Sequence, residues 1–337
     1  MSSPPFTITP AILSLVAEIA GKVGRLEVLA GRESVPKLRR ENRIKSIHAS
    51  LAIENNTLSL EQVTAVIEGQ RVLGKPSEVQ EVKNAFAAYD AMADWNPSSL
   101  KNLLTAHRLL MDGLVEEAGR FRTRSVGIAQ GGDLIHLAPP ADQVAGLVKD
   151  LLAWLKQTDT HPLVASCVFH YELEFIHPFA DGNGRMGRLW QTVILNRWNP
   201  LFSFLPVETA IRERQAEYYR VLGACDKAGK STAFIEFLLS ALLTALHEVA
   251  IPPSDEQVDE QVSEQVAGIL HACEKSPRSK TELLRSIGLT NAYLNYKRHI
   301  LPLLEEGLIE RTLPEKPNSR LQKYRLTEKG RRMIDRG

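Results

Sequence analysis

The sequence predicts a mainly helical fold, with one small β-hairpin embedded in it and a separate helix-and-ribbon module at the C-terminal end. Three observations predict this. Apolar residues recur at three- and four-residue spacing through most of the first 250 positions, the signature of amphipathic helices. One stretch alone in that region, 124–137, combines short apolar runs with a Gly-Gly break. After position 250 the charge pattern changes abruptly: residues 251–274 hold six acids and no Lys or Arg, whereas 275–337 hold fifteen Lys and Arg against seven Asp and Glu.

The elements follow in order. Residues 10–30 place Ile12, Val16, Ile19, Ala20 and Val23 at helical spacing, and 41–54 repeat the pattern with Ile44, Ile47 and Leu51. Ser59 with Gln62 three residues later reads as a helix start. After a break at Gly74-Lys75-Pro76-Ser77, Val79, Val82, Phe86 and Tyr89 mark the next helix, and further helices are expected over 99–114 and 142–155. Arg124 to Ala129 and Leu134 to Leu137, separated by Gly131-Gly132, read as two short strands that end at Pro139-Pro140. In the tail, helices at 264–274, 279–286 and 290–306 precede strands at 308–311 and 323–326 and a last short helix. That is the order of a winged helix-turn-helix. The domain organisation expected is an N-terminal helical region 1–100, a core 101–250, an acidic helical connector 251–274 and the basic module 275–337.

Composition excludes several classes. With 41 basic and 40 acidic residues the chain is no polycation built to coat nucleic acid, although the tail carries a local excess. Three scattered cysteines, Cys167, Cys225 and Cys273, argue against a disulfide framework or a Cys-rich zinc site. The longest uncharged apolar run, 237–247, is too short for a bilayer, which needs roughly 20 residues. No basic stretch precedes an apolar core at the N-terminus, so a cytoplasmic protein with no membrane partner is expected.

Chemistry concentrates in His177-Pro178-Phe179-Ala180-Asp181-Gly182-Asn183-Gly184-Arg185-Met186-Gly187-Arg188. Pro178 stops the preceding helix, and the two glycines permit backbone conformations closed to other residues. Leu189, Trp190, Val193 and Ile194 are helix-spaced, so a loop empties into a helix N-terminus. Such an end offers free N–H groups and a positive dipole to phosphate. Arg185 and Arg188 share one helix face and suit a polyphosphate. Asp181 is a hard oxygen ligand fit for Mg²⁺, and His177 is a base near neutrality.

This stretch resembles the Fic-family signature His-x-Phe-x-(Asp/Glu)-Gly-Asn-Gly-Arg-x-x-Arg at every position. Gly119-Arg120-Phe121-Arg122 before the hairpin and Tyr218-Tyr219 after the motif are similar to the same family, over roughly residues 40–245. The resemblance implies a Fic-type helical domain with a hairpin flap. It also implies transfer of AMP from ATP to a Ser, Thr or Tyr hydroxyl of a protein target, which could be this protein itself. On that basis His177 deprotonates the hydroxyl, and Asp181 holds Mg²⁺ on the α- and β-phosphates. Backbone N–H groups of Gly182, Asn183 and Gly184 hold the phosphates, with Arg185 and Arg188 clamping the distal ones. Tyr219 and the flap residues Val126, Gly127, Ile128 and Ala129 complete the nucleotide site, and the flap aligns the target by strand addition. Ser50-Leu51-Ala52-Ile53-Glu54-Asn55 resembles the family's inhibitory pattern (Ser/Thr)-x-x-x-Glu-(Gly/Asn). Ser50, Glu54 and Asn55 would therefore form a switch in which Glu54 pairs with Arg188. Relatives that phosphorylate have Lys where this chain has Gly184.

Alternatives at this level are a DNA-binding regulator with a nucleotide-sensing Fic-like domain, and removal of AMP by the same site with Glu54 positioning water. The tail cations Lys297, Arg298, Lys316, Arg320 and Lys323 would contact phosphates in a DNA complex, and a homodimer is compatible with the sequence. Ala224 to Ser231 fits a relaxed P-loop pattern, yet helical residues precede it, so a helix–loop–helix turn is expected. His107, on a mostly apolar helix, reads as a packed structural histidine.

Overall fold

The computed structural model describes residues 3–29, 35–130, 133–249, 266, 268–274, 276–289, 295–305, 307–315, 319 and 322–334. The chain divides into two compact units, Met1–Ala250 and Ile251–Gly337.

The first unit is a helical assembly of α1 (Pro10–Leu29), α2 (Val35–Ile53), α3 (Leu60–Ile67), α4 (Pro76–Ala91), α5 (Leu100–Met111), α6 (Ala141–Gln157), α7 (Pro162–Ile176), α8 (Asn183–Trp198), α9 (Val207–Glu213), α10 (Gln215–Ala228) and α11 (Thr232–Val249). Strands β1 (Gly127–Gln130) and β2 (Asp133–Leu137) lie between α5 and α6 and pair antiparallel, Gly127 opposite Leu137 and Gln130 opposite Asp133. The Gly131-Gly132 turn itself lies outside the described residues.

Local chemistry sets the ends. Ser59 and Gln62 form a reciprocal capping box at the start of α3, as the sequence predicts. Ser99 caps α5, and Pro76 and Pro162 occupy first helical positions where a missing N–H costs nothing. Two ends differ from expectation. Helix α2 begins at Val35, because the charged segment before Ile44 is helical too and its exposed Arg39, Arg40 and Glu41 carry no apolar periodicity. Helix α5 stops at Met111, since Gly113 takes φ 69° and turns the chain.

The centre of this unit is α7 packed on α8. Both are buried nearly all round, including Phe169, Leu173, Met186, Leu189, Trp190 and Val193, which is the pattern of a central helix rather than a surface one. Helix α11 packs on α1 and α7, so the apolar run 237–247 is core; no described helix is long and apolar enough to cross a membrane. Residues 224–231 are the end of α10, a left-handed Gly229 cap and the start of α11, the expected helix–loop–helix turn. All three cysteines are free and buried, and burial raises Cys167 to about 12 and Cys273 to about 11.

The second unit has helices at 268–274 and Lys280–Ser286, a π-turn at Tyr296–Ile300 running into a helix at Leu301–Glu305, and a last helix at Glu328–Ile334. Its sheet has three strands rather than the two expected: β3 (Arg278–Ser279), β4 (Ile309–Arg311) and β5 (Lys323–Leu326), in order β3-β5-β4 and all antiparallel. A two-residue strand is too short for alternation to announce it. A core of Leu270, Leu283, Leu284, Ile300, Ile309 and Tyr324 holds this unit. Lys297 and Arg298 lie on the helical backbone and Lys323 is exposed on β5, whereas Lys316, Arg320 and residues 251–265 of the connector fall outside the described residues.

Candidate active site

The loop between α7 and α8 is built from its own side chains. His177 ends α7 in the left-handed region, φ 49°, its N–H bonded to the Leu173 carbonyl, and Pro178 prevents the helix from continuing. Asn183, the first residue of α8, reaches back across the loop. Its amide oxygen accepts from the Phe179 N–H at 2.9 Å and its amide nitrogen donates to the Phe179 carbonyl at 2.9 Å. Gly182 sits at φ 84°, where a side chain would strain the backbone and strike Met111.

His107 supports the loop from below. Its ring stacks on Phe179 with centroids 3.7 Å apart. The Gly119 N–H donates to Nδ1 at 2.8 Å, so Nδ1 is the acceptor and Nε2–H donates to the Asp181 carbonyl at 3.0 Å. Burial lowers this histidine to about 4, and it stays neutral at pH 7. It is structural, as its sequence context suggests.

Arg122 closes the other side. Buried at the entry to the flap, it donates to the carbonyls of His177 (2.7 Å), Arg124 (2.9 Å), Pro139 (2.6 Å) and Ile176 (3.3 Å). Its own N–H donates to the Pro178 carbonyl at 2.9 Å. His177 is thereby tied to both ends of the segment bearing Val126, Gly127, Ile128 and Ala129.

At the mouth of α8, Asp181 is exposed. Its Oδ1 accepts from the Gly182 N–H at 2.6 Å and from Arg185 at 3.3 Å. The Gly182 N–H, expected to face phosphate, is therefore taken by Asp181, because a free acceptor one residue away satisfies it locally. The N–H groups of Asn183 and Gly184, in the first turn of α8, lack intrahelical acceptors by geometry. Arg185 is buried and donates to Glu81 of α4 at 3.2 Å. Glu81 in turn accepts from Asn56 at 2.8 Å.

Arg188 is almost fully buried. Its Nε donates to the Ser50 hydroxyl and its Nη2 to the Ser50 carbonyl, both at 3.0 Å, and Nη2 also meets Glu54 Oε1 at 2.7 Å. Burial lowers this guanidinium, and Glu54 first, with Tyr218 and Glu174, raises it, so that it lies above its ordinary value. Its Nη1 and the Nε of Arg185 are buried without a protein hydrogen-bond partner. A Cβ built on Gly184 would come 3.1 Å from Arg188 Nη1 and would overlap the Glu54 carboxylate, so both groups converge over the first turn of α8.

The turn that carries Glu54 has a backbone reason for its sequence. The Asn56 N–H bonds to the Leu51 carbonyl and the Asn55 N–H to the Ala52 carbonyl, with Asn55 at φ 67°. That is a Schellman closure of α2, and its left-handed position favours Gly or Asn. Glu54 is thus the last residue before a rigid stop. Tyr219, half-buried on α10, touches the same turn: its hydroxyl reaches the Ile53 carbonyl at 3.4 Å, beside Gln215 at 3.0 Å.

The structure brings together His177, Asp181, Gly182, Asn183, Gly184, Arg185, Arg188, Ser50, Glu54 and Asn55. Sequence reasoning missed Glu81, Asn56 and Gln215 and gave Arg122 no role. Arg122 alone left a signal, as the end of Gly119-Arg120-Phe121-Arg122. No group of three or more His, Cys, Asp or Glu gathers among the described residues. Asp181 therefore fits a Mg²⁺ that one carboxylate shares with phosphate oxygens and water, not one held in a protein cage.

Comparison with known proteins agrees with this geometry. Residues 97–195 match the Fic/DOC family and 264–327 match the Fic-like C-terminal domain described as filamentation induced by cAMP protein Fic-like. A crystal structure of a Fic family protein from Desulfovibrio desulfuricans G20 is 56% identical, with TM-score 0.72, over 98% of this chain and 99% of that one. This chain belongs to the Fic family. The protein adenylyltransferase fic-1 of Caenorhabditis elegans is 33% identical over 198 residues, 55% of this chain and 37% of that protein. The protein adenylyltransferase Fic of Drosophila mojavensis is 29% identical over 60% of this chain and 40% of its own length. The chain thus spans less than half the length of these two relatives. The solved C. elegans Fic-1 fragment has TM-score 0.57 at 26% identity, over 71% of this chain and 70% of the fragment.

Proposed function

We propose that this chain is a protein adenylyltransferase, moving AMP from ATP to a hydroxyl of a protein target, and that Glu54 holds it inactive. The observation that carries this reading is the convergence of His177, the first turn of α8 and Arg188 on one loop, with Glu54 lying across the clamp at 2.7 Å. The relatives named protein adenylyltransferase support the same activity.

His177, fixed at the end of α7, takes the proton of the target hydroxyl. The oxygen attacks the α-phosphorus, the bond from that phosphorus to the β-bridging oxygen breaks, and pyrophosphate leaves. The N–H groups of Asn183 and Gly184 and the guanidinium groups of Arg185 and Arg188 hold the phosphates. Asp181 would hold Mg²⁺, which supplies charge neutralisation on the phosphates. The flap backbone of β1 aligns the target by strand addition, so specificity for the target's side chains is loose. Glu54 occupies the edge of Arg188 that a terminal phosphate requires, so ATP binds productively only after Glu54 withdraws. The second unit, with helices followed by a three-stranded antiparallel sheet, fits a winged helix, and its basic balance suits an acidic partner surface.

The test is mass spectrometry of the Glu54→Gly protein after incubation with ATP and Mg²⁺. An adduct of the mass of an AMP group on a hydroxyl side chain, larger in amount than in wild type, is expected. The same variant with His177→Ala should lose transfer by about 10²-fold or more. Equal transfer in wild type and Glu54→Gly would remove the inhibitory role, and full transfer with His177→Ala would remove the assigned base.

A further inference from the structure

Arg185, the other clamp of α8, is anchored outside the loop it belongs to. Its side chain is 6% exposed, and its two terminal nitrogens serve different carboxylates. Nη1 donates to Glu81 Oε1 on α4 at 3.2 Å, and Nη2 donates to Asp181 Oδ1, one turn earlier, at 3.3 Å. Its Nε is buried with no hydrogen-bond partner among the described residues. The Asp181 side chain is 60% exposed and that of Glu81 only 20%, so Glu81 is the less hydrated and the more confined of the two.

Glu81 is braced in turn by the end of α2. Its second oxygen, Oε2, accepts from Asn56 Nδ2 at 2.8 Å. Asn56 is buried and held at every polar atom. Nδ2 also donates to the Glu78 carbonyl at 3.2 Å, Oδ1 accepts from the Leu58 N–H at 3.1 Å, and the Asn56 N–H closes α2 on the Leu51 carbonyl at 3.1 Å. The end of α2 therefore reaches both clamps. Glu54 meets Arg188 directly, and Asn56, two residues on, meets Arg185 through Glu81.

The two contacts differ in consequence. Glu54 covers the first turn of α8, where phosphate is expected. Glu81 instead divides the pull on Arg185. Without it, the guanidinium keeps a single carboxylate within reach, Asp181 at the favourable i,i+4 spacing, and closes on it. That movement takes the clamp away from phosphate and occupies the carboxylate assigned to Mg²⁺.

We propose that Glu81 is a positioning residue for Arg185: braced by Asn56, its carboxylate keeps the guanidinium from closing on Asp181 and leaves the remaining N–H groups to the distal phosphates of ATP. This deepens the reading of the first turn of α8 as a triphosphate site and rests on it. The end of α2 then has two parts, inhibitory at Glu54 and supporting at Asn56, and Glu54→Gly removes only the first.

Isothermal titration with ATP and with AMP, both with Mg²⁺, tests this in the Glu54→Gly, His177→Ala protein, which binds without turnover. AMP lacks the distal phosphates, so its affinity reports the rest of the site. Adding Glu81→Ala should raise the Kd for ATP about tenfold or more, the worth of one charge-assisted hydrogen bond, and leave the Kd for AMP within about twofold. Glu81→Gln, whose amide oxygen still accepts from Arg185, should recover most of that loss. Asn56→Ala, which keeps the pair but removes its brace, should raise the Kd for ATP about threefold with AMP unchanged, and it decides the matter if Glu81→Ala does not fold. Equal losses for ATP and AMP overturn the proposal by reducing Glu81 to a residue of the fold. An unchanged Kd for ATP overturns it too, and so does a lowered one, which would make Glu81 a competitor of phosphate. If Glu54→Gly transfers no AMP while this background binds ATP, the adenylyltransferase reading falls and the ratio of the two affinities still decides Glu81. If the background binds neither nucleotide, both fall.

Discussion

Gly184 stands where three requirements meet in one residue. Its N–H belongs to the first turn of α8, its Cα underlies the Glu54 carboxylate, and its missing side chain leaves Arg188 Nη1 within reach of the same spot. An alanine there would overlap Glu54 Oε1, which is the tip of a flexible side chain, so the carboxylate would give way rather than the backbone. Gly184→Ala should therefore weaken the pair between Glu54 and Arg188, lowering Tm by about 3 °C for a unit of this size. The same substitution in a Glu54→Gly protein should cost much less, because the obstacle is gone. Scanning fluorimetry of the four proteins decides it, and an equal drop in both backgrounds sinks the steric account. Asn183 shows the complementary case. The sequence marks it as part of a phosphate loop, but its side chain is wholly engaged in bracing Phe179. What it offers an anion is its backbone alone.

At the scale of elements, the site is one joint between α7 and α8 with a flap hung beside it, and Arg122 is the fastening. A planar guanidinium with five donors serves four carbonyls from three segments at once. Burial lowers its pKa, but a guanidinium stays charged. A lysine at this position has three donors on a point charge and cannot span the same set. Arg122→Lys should cut AMP transfer at least about tenfold and lower Tm, because up to two charge-assisted bonds, each worth about 1.5–3 kcal/mol, are lost. Unchanged transfer would show that the flap needs no such tie. The loop was legible in sequence because its chemistry is contiguous: helix stop, glycines and clamps fall within twelve residues. Glu54 was legible only through the resemblance of Ser50 to Asn55 to the family's inhibitory pattern, whose last position is the left-handed Asn55. Arg122 and Glu81 were not, since each holds a residue dozens of positions away through a contact that only packing creates. The third strand of the tail sheet escaped for the opposite reason, being too short to carry any pattern.

For the whole molecule, buried titratable groups make stability a function of pH, and they divide into two sets of opposite sign. Burial lowers His107 to about 4 and His170 to about 3, while His48 and His161 are lowered for the same reason. Their folded values lie below the unfolded 6.5, so the unfolded chain binds protons first. The stability they contribute is complete above pH 6.5 and is lost as pH falls toward 4 and 3. Glu172 opposes them. Burial, then the nearby Asp226 carboxylate, raise it to about 7, so between 4.5 and 7 the folded chain holds a proton that the unfolded chain has released. That group stabilises the fold as pH falls through this window. Glu208 and Glu248, both raised chiefly by burial, act in the same direction. Each group changes stability by about 1.4 kcal/mol per pH unit at most. The two sets oppose each other between pH 6.5 and 4.5; below that the histidine loss continues and is joined by Glu61, Glu78, Glu217 and Glu282, whose carboxyls are held below the usual value. Tm should therefore change less from pH 7 to 5 than beneath 4.5, where it falls steeply. Removing one member of either set should expose the other. Glu172→Gln should make Tm fall already between pH 6.5 and 5, and His170→Gln, which can still donate to Gln191 and accept from Tyr218, should make Tm rise over the same interval. Calorimetric scans of the three proteins across pH 4–7 measure this, and parallel curves would show that neither group changes its protonation on folding.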